Sequence, residues 1–257
     1  MQSKPFSYLF SISYFGARFK GWAKQPEQAT VEGKLERVLR FVLEDRSFTL
    51  IGSSRTDSGV SCRKGYVQLF VEQEIAFEDL LQTINAHLGG EIRLEAVQEV
   101  PREFNLIQSV HQKTYRYFFA QPDRFHPFAS SFVSAVPFAN TLTQMQENGQ
   151  FFVGRHNFKA FCQPSATKLS YEREVESLSV FEVRDIPSSF APSQVFAVEI
   201  VGNGFLHHQV RKMVYALWNW NADQIQERLQ SPEKEWPAVP TAPAQGLVLW
   251  DTVLKLE

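Results

Sequence analysis

The chain has 257 residues, with 26 lysines and arginines against 28 aspartates and glutamates and a formal net charge of −2. Its length allows one large domain or two small ones around a real core, and 44% hydrophobic against 21% charged residues excludes a disordered chain. Its two cysteines, Cys62 and Cys162, exclude a disulfide framework and a four-cysteine zinc site, and the near-neutral balance argues against a strongly basic nucleic-acid binder.

Phe6, Tyr8, Phe10, Ile12 and Tyr14 alternate with Ser7, Leu9, Ser11 and Ser13, the period of a strand with one apolar face. This is not the continuous apolar run of a signal peptide, and no stretch is long and apolar enough to span a bilayer. Two unpaired cysteines suit a reducing cytoplasm. Thr30 is expected to cap a helix with Val31, Leu35, Val38, Leu39 and Val42 on one face. Residues 47–53 and 66–72 read as strands around a Ser/Arg/Asp/Gly loop, 79–88 as a helix and 91–100 as a strand. An aromatic strand over 113–120 and a helix over 142–152 follow, then strands over 175–184 and 194–201 that are expected to pair. Residues 205–220 read as a helix with Leu206, Val210, Met213, Val214 and Leu217 in one stripe. A loop over 236–244 leads to a last strand over 246–254. Strands and helices without a strict βαβ rhythm indicate an α+β fold with a mostly antiparallel sheet. Two halves are expected, 1–105 and 106–257, meeting near residues 101–110.

The near-zero charge hides a pattern. Residues 1–70 carry a net +5, 71–110 a net −6, 111–170 a net +4, 171–202 a net −4 and 203–257 a net −1. Random variation of solvated surface accounts for any one segment; two basic segments facing one anionic ligand account for the alternation.

Several chemistries lack their motif. His207 and His208 are adjacent, so on a helix they would point about 100° apart and could not chelate as an i, i+4 pair. There is no H-E-x-x-H, C-x-x-C, G-x-S-x-G, phosphate-cradling loop or dinucleotide fingerprint. Three features remain. The loop from Ser53 to Val60 presents Arg55 and Asp57 and closes on Gly59; an ordinary surface turn would look the same. Tyr115 and Tyr117 share one face of a strand with Arg116 on the other, a pattern that core packing also produces. Arg211 lies roughly 140° from Leu206 on a helix, off the apolar stripe, with His207 one turn before it; a solvated flank is the plain alternative.

In these contexts the sequence resembles the tRNA pseudouridine synthase A (TruA-like) family, in order and from about Phe6 to Leu254. Residues 14–22 resemble the family's opening strand and loop, 30–36 the following helix and Arg55-Thr-Asp57-Ser-Gly-Val60 its catalytic loop. Lys113-Thr-Tyr115-Arg-Tyr117 resembles the second motif, 154–161 the glycine-histidine-aspartate-phenylalanine segment, 205–211 the third motif and 242–247 the closing segment.

The resemblance implies conversion of uridine to pseudouridine in the tRNA anticodon arm, with no cofactor and no metal. The base leaves the ribose, turns and rejoins through carbon. Asp57 matches the catalytic aspartate, Arg211 the arginine that pairs with it and Tyr115 the aromatic that stacks on the base. A nearby cation keeps a carboxylate ionised. Tyrosine with its ordinary pKa of about 10 is a weak base, which favours stacking over proton transfer. Arg55 would fill the space left by the extruded nucleotide or hold its phosphate, since a base inside a stem must flip out to react. Leu247 would floor the pocket, and Arg18, Lys20, Lys24, Arg63, Lys64, Arg116 and His208 would bind RNA around it. The family's fold is a mixed, mostly antiparallel central sheet flanked by helices in two pseudo-symmetric halves, and its members are homodimers whose tRNA crosses both subunits.

Some positions depart from the family pattern. Ser54 stands in place of a usual glycine, Ser58 of alanine, Ser61 of histidine, Ala23 and Lys24 of a glutamine-led pair, and Asn157 of aspartate. Ile107 stands where an RNA-binding arginine is common. They leave two alternatives, the same reaction at a different RNA site and a non-catalytic RNA-binding paralogue.

Overall fold

The computed structural model describes residues 4–165, 170–184 and 189–255. In chain order its strands and helices are β1 (Phe6–Tyr14), α1 (Val31–Val42), β2 (Phe48–Gly52), β3 (Ser61–Val71), α2 (Phe77–Leu88), β4 (Ile92–Glu99), α3 (Leu106–Ser109) and β5 (Val110–Ala120). There follow β6 (Ser134–Ala135), α4 (Leu142–Gly149), β7 (Gly154–Asn157), β8 (Glu172–Val183), β9 (Val195–Gly202), α5 (Gln209–Asn219), α6 (Ala222–Gln230) and β10 (Leu247–Leu254). Two compact units result, Met1–His111 with Leu249–Glu257, and Gln112–Val248.

In the first unit the strand order is β4-β1-β3-β10, and β2 also pairs with β3. The β1/β3, β1/β4 and β2/β3 ladders are antiparallel. The period-two pattern of β1 puts Tyr8, Phe10, Ile12 and Tyr14 in the core, where Leu35 and Leu39 of α1 and Ile84 and Leu88 of α2 are also fully buried. The expected single apolar face of β1 needs correction, because Ser7 and Leu9 are buried too. Leu9 packs with Val100 and Leu106 on the other side. Buried Gln68 satisfies the polar groups there: its amide donates to Ser7 Oγ and to the Phe104 carbonyl, each at 2.9 Å. Helix α1 starts where the cap was expected, with Thr30 Oγ1 accepting from Gly33 N at 3.2 Å.

In the second unit the order is β5-β9-β8-β7, with β6 beside β5. All these ladders are antiparallel except β5/β6. The expected pairing of the strands near 175–184 and 194–201 is the β8/β9 ladder. The core is aromatic: Tyr117, Phe119, Phe152, Phe158 and Phe161 are fully buried, and Trp218 lies 5.3 Å from Tyr117 and 5.4 Å from Phe119, ring centre to ring centre.

Across the described residues this is a mixed, mostly antiparallel α+β architecture with six α-helices, none long and apolar enough to cross a membrane. The division differs from the expected halves in the last strand. Residues 249–255 pack with the first unit, where Lys64 pairs with Asp251 at 3.2 Å, Arg63 lies over the Trp250 ring and Lys255 N donates to the Ser109 carbonyl at 2.8 Å. Helix α5 also starts four residues later than expected. His208 holds φ 62° and ψ 2°, a left-handed conformation that cannot continue a helix. His207 therefore precedes the helix and does not sit one turn before Arg211 on a shared face.

Candidate active site

The Asp57 loop leaves β2 at Gly52 and enters β3 at Ser61. The backbone closes it with an i to i+3 turn, Val60 N donating to the Asp57 carbonyl at 3.2 Å, and Gly59 at the third position has φ +84°. A positive φ at that position is what a type II turn requires, so glycine fits there as the sequence suggested. Ser53 ties the base of the loop to β3: its N–H donates to the Tyr66 carbonyl at 2.8 Å, and its Oγ accepts from Tyr66 N at 3.0 Å.

A second segment, 14–22, grips the loop from the side. Tyr14 and Thr56 share a buried hydroxyl–hydroxyl bond of 2.8 Å. Trp22 N donates to the Thr56 carbonyl at 3.1 Å, Gly59 N to the Phe19 carbonyl at 3.2 Å and Gly16 N to Ser61 Oγ at 2.9 Å. Gly21 has φ +95°, and a Cβ there would stand 2.9 Å from the Thr56 carbonyl oxygen. At Gly52 a Cβ would meet the Trp22 ring at 2.3 Å. Thr56 is thus held from both sides, which leaves its neighbour Asp57 half-buried and Arg55 exposed. No sequence motif assigns Tyr14, Gly21 or Thr56 a part in holding this loop. Gly52 and Gly21 were the available signal, but their meaning depends on how closely Trp22 and Thr56 approach.

The second unit carries the other named residues. Tyr115 is buried on β5, and its ring meets Phe205 edge-on at 5.3 Å and 89°. Phe205 lies over Gly202, where a Cβ would come 3.2 Å from its ring and 2.5 Å from the Glu174 carbonyl oxygen. His208 is half-buried before α5 and its ring lies 3.9 Å from that of His207. Gln209, fully buried, accepts the Leu206 N–H on Oε1 at 2.8 Å and so secures the start of α5. Arg211 is half-buried, and its Nε donates to the Ala242 carbonyl at 2.7 Å. Ala242 N returns a bond of 3.2 Å to the Arg211 carbonyl. Leu247 is buried at the start of β10.

Tyr117, read as one of two same-face tyrosines, is completely buried, and its hydroxyl lies 2.6 Å from the Pro243 carbonyl and 2.9 Å from Ser134 Oγ. Burial pushes its pKa up, out of the ordinary tyrosine range, and outweighs the opposing pull of Ser134 and of the nearby Arg211 charge. It is a neutral phenol at every working pH.

The residues expected to bind RNA stand on the surface in varied company. Arg18 and Lys20 are exposed, and Lys20 N donates to the Ala29 carbonyl at 2.7 Å. Lys24 pairs with Glu36, and its N–H bonds Glu32 at 2.8 Å. Arg63 lies 4.8 Å from the Trp250 ring centre. Asp251 holds the Lys64 ammonium, which raises its pKa. Arg116 occupies the face of β5 opposite Tyr115 and pairs with Glu199 at 2.5 Å. Of the departures, Asn157 accepts from Lys159 N on Oδ1 at 3.0 Å, a role aspartate would fill equally. Ile107 is 63% exposed.

A family model described as tRNA pseudouridine synthase matches residues 150–253. The tRNA pseudouridine synthase A of Listeria monocytogenes serotype 4b is 27% identical over 248 residues, 95% of this chain and 97% of that protein. The tRNA pseudouridine synthase A 2 of Bacillus anthracis is 31% identical over 212 residues, 82% of each chain, and that of Bacillus thuringiensis subsp. konkukian matches to the same extent. With the Asp57 loop, the Tyr115 strand and the Arg211 helix standing in the family's order, the chain belongs to the tRNA pseudouridine synthase A family.

Proposed function

We infer that the protein is an RNA-modifying isomerase that converts uridine to pseudouridine in tRNA. The observation that carries this is the family relationship over 82% of both chains at 31% identity, with Asp57 retained in a loop fixed through Thr56. The reaction breaks the bond from ribose C1′ to N1 of the base and forms one from C1′ to C5. C5 gives up a proton and N1 gains one, so nothing is lost and no cofactor or metal is required. Asp57 supplies the carboxylate, Arg211 the positive charge that keeps it ionised and Tyr115 the ring that stacks on the base. Leu247 forms the apolar floor. The substrate is flipped out of its stack, with Arg55 in the vacated space or on the phosphate. Arg18, Lys20, Lys24, Arg63, Lys64, Arg116 and His208 form the surrounding RNA surface.

The anticodon arm is the proposed target and a cytoplasmic homodimer the proposed working form. The two units, each built on a largely antiparallel sheet, are proposed as the pseudo-symmetric halves of the family fold. Mapping pseudouridines in unmodified tRNA exposed to the purified protein tests this. New pseudouridine in the anticodon arm supports the reading, and none in any tRNA overturns it. A second reading, the same reaction at another RNA site, is favoured by the exposed apolar Ile107 at a position where the family commonly holds an arginine. Mapping total RNA with and without the gene separates the two.

A further inference from the structure

The segment 237–246 contains Pro237, Pro240 and Pro243 and has no regular structure, so no ladder fixes it. It is held from the side. Arg211 of α5 takes the Ala242 carbonyl at 2.7 Å, and Tyr117 of β5 takes the next carbonyl, that of Pro243, at 2.6 Å. The proton assignment at Tyr117 follows from chemistry. A carbonyl only accepts, so the Tyr117 hydroxyl donates to Pro243, and the same hydroxyl also reaches Ser134 Oγ at 2.9 Å. Ser134 and Tyr117 also confine the next bend: a Cβ at Gly246 would lie 2.7 Å from each of their side chains and 2.5 Å from the Phe118 carbonyl oxygen. Phe118 N closes on the Gly246 carbonyl at 2.8 Å, immediately before Leu247.

We propose that Tyr117, with Ser134 behind it, is a positioning residue for the reaction: the pair fixes residues 242–246 and thereby the plane of the Arg211 guanidinium and the placement of Leu247. The proposal rests on the roles given above to Arg211 and Leu247. Without the phenolic proton the Pro243 carbonyl loses its donor, the segment loosens, and Arg211 loses the fixed acceptor that orients its Nε edge.

The test is Tyr117→Phe, which keeps the ring that packs on Trp218, together with Ser134→Ala and the double variant, assayed on unmodified tRNA. The expected result is a kcat lower by about tenfold to a hundredfold, the cost of misplacing an aligned group, with KM within about twofold of wild type. The double variant should be no worse than the poorer single, because both remove one unit. Asn148→Ala, which deletes a 3.0 Å bond to the Trp220 carbonyl elsewhere in the same unit, supplies the comparison. It should lower the melting temperature similarly while leaving kcat unchanged. Wild-type kcat in both Tyr117→Phe and Ser134→Ala overturns the proposal, as does an equal loss of kcat in Asn148→Ala. Asp57→Asn run alongside keeps the two claims apart. If it stays active, the catalytic reading fails. If it is inactive while Tyr117→Phe is fully active, only the positioning role fails.

Discussion

Tyr117 and Arg211, from a strand and a helix of one unit, donate to successive carbonyls of a single loop, Pro243 at 2.6 Å and Ala242 at 2.7 Å. The arginine proposed to serve the catalytic carboxylate is therefore also a structural clamp. Arg211→Lys separates the two parts, because lysine keeps the charge but has no planar Nε donor. The expected outcome is a loss of kcat of about a hundredfold and of stability of about 1–2 kcal/mol from an unpaired Ala242 carbonyl, read by single-turnover kinetics and urea unfolding.

Gly21→Ala should disturb the backbone of the Asp57 loop from the neighbouring segment 14–22. The added Cβ would stand 2.9 Å from the Thr56 carbonyl in a backbone conformation of φ +95°. A stability loss of about 2–3 kcal/mol and a fall in kcat are expected. Gly90→Ala is the matched comparison, since Gly90 has φ +75° but open space around it. It should cost only about 1–2 kcal/mol and leave activity alone. Equal effects on kcat would contradict the grip on the loop.

Ser54 replaces the family's usual glycine, and its buried Oγ has no hydrogen-bond partner among the described residues. Ser54→Ala removes the orphaned hydroxyl and should raise stability by about 1 kcal/mol, or about 2–4 °C in Tm. A fall in Tm would show that the hydroxyl has a stabilising partner.

Lys212, 4% exposed on α5, has its pKa lowered by burial from the 10.5 of an open lysine, with Cys162 pulling weakly the other way. A lowered folded pKa means that the unfolded chain binds the proton more tightly. The destabilisation is complete below the folded pKa and fades as pH rises through 10.5. Lys212→Met should therefore be more stable than wild type at neutral pH, by about 1 kcal/mol, with the gap closing toward the ordinary lysine pKa. Urea unfolding across that pH range checks both the sign and the trend.

Legibility in the sequence followed the range of the interaction. The Thr30 cap and the alternation of β1 are local, and both were readable. The second face of β1 was not, because what covers Leu9 comes from Val100 and Leu106, far along the chain. The start of α5 was misread because its hydrophobic stripe runs back to Leu206, while the left-handed turn at His208 breaks the helix between them. Helix α6 escapes the sequence reading despite a capping box from Asn221 and Gln224, since its apolar face is short and fully buries Ile225 alone. For the proposed catalytic roles, motif resemblance is the only sequence signal for Asp57, Tyr115 and Arg211. Tyr14, Tyr117, Ser134 and Phe205 act through distances that no spacing rule encodes. The partners of Lys24, Lys64 and Arg116 were equally invisible, since each ion pair joins elements distant in sequence or fixed by strand register.

The most direct measurement is pseudouridine formed in unmodified tRNA by wild-type protein and by Asp57→Asn, with melting temperature and RNA affinity recorded for both. The prediction is product from wild type and none from the variant, at matched folding and binding. Undiminished pseudouridine from Asp57→Asn would contradict it.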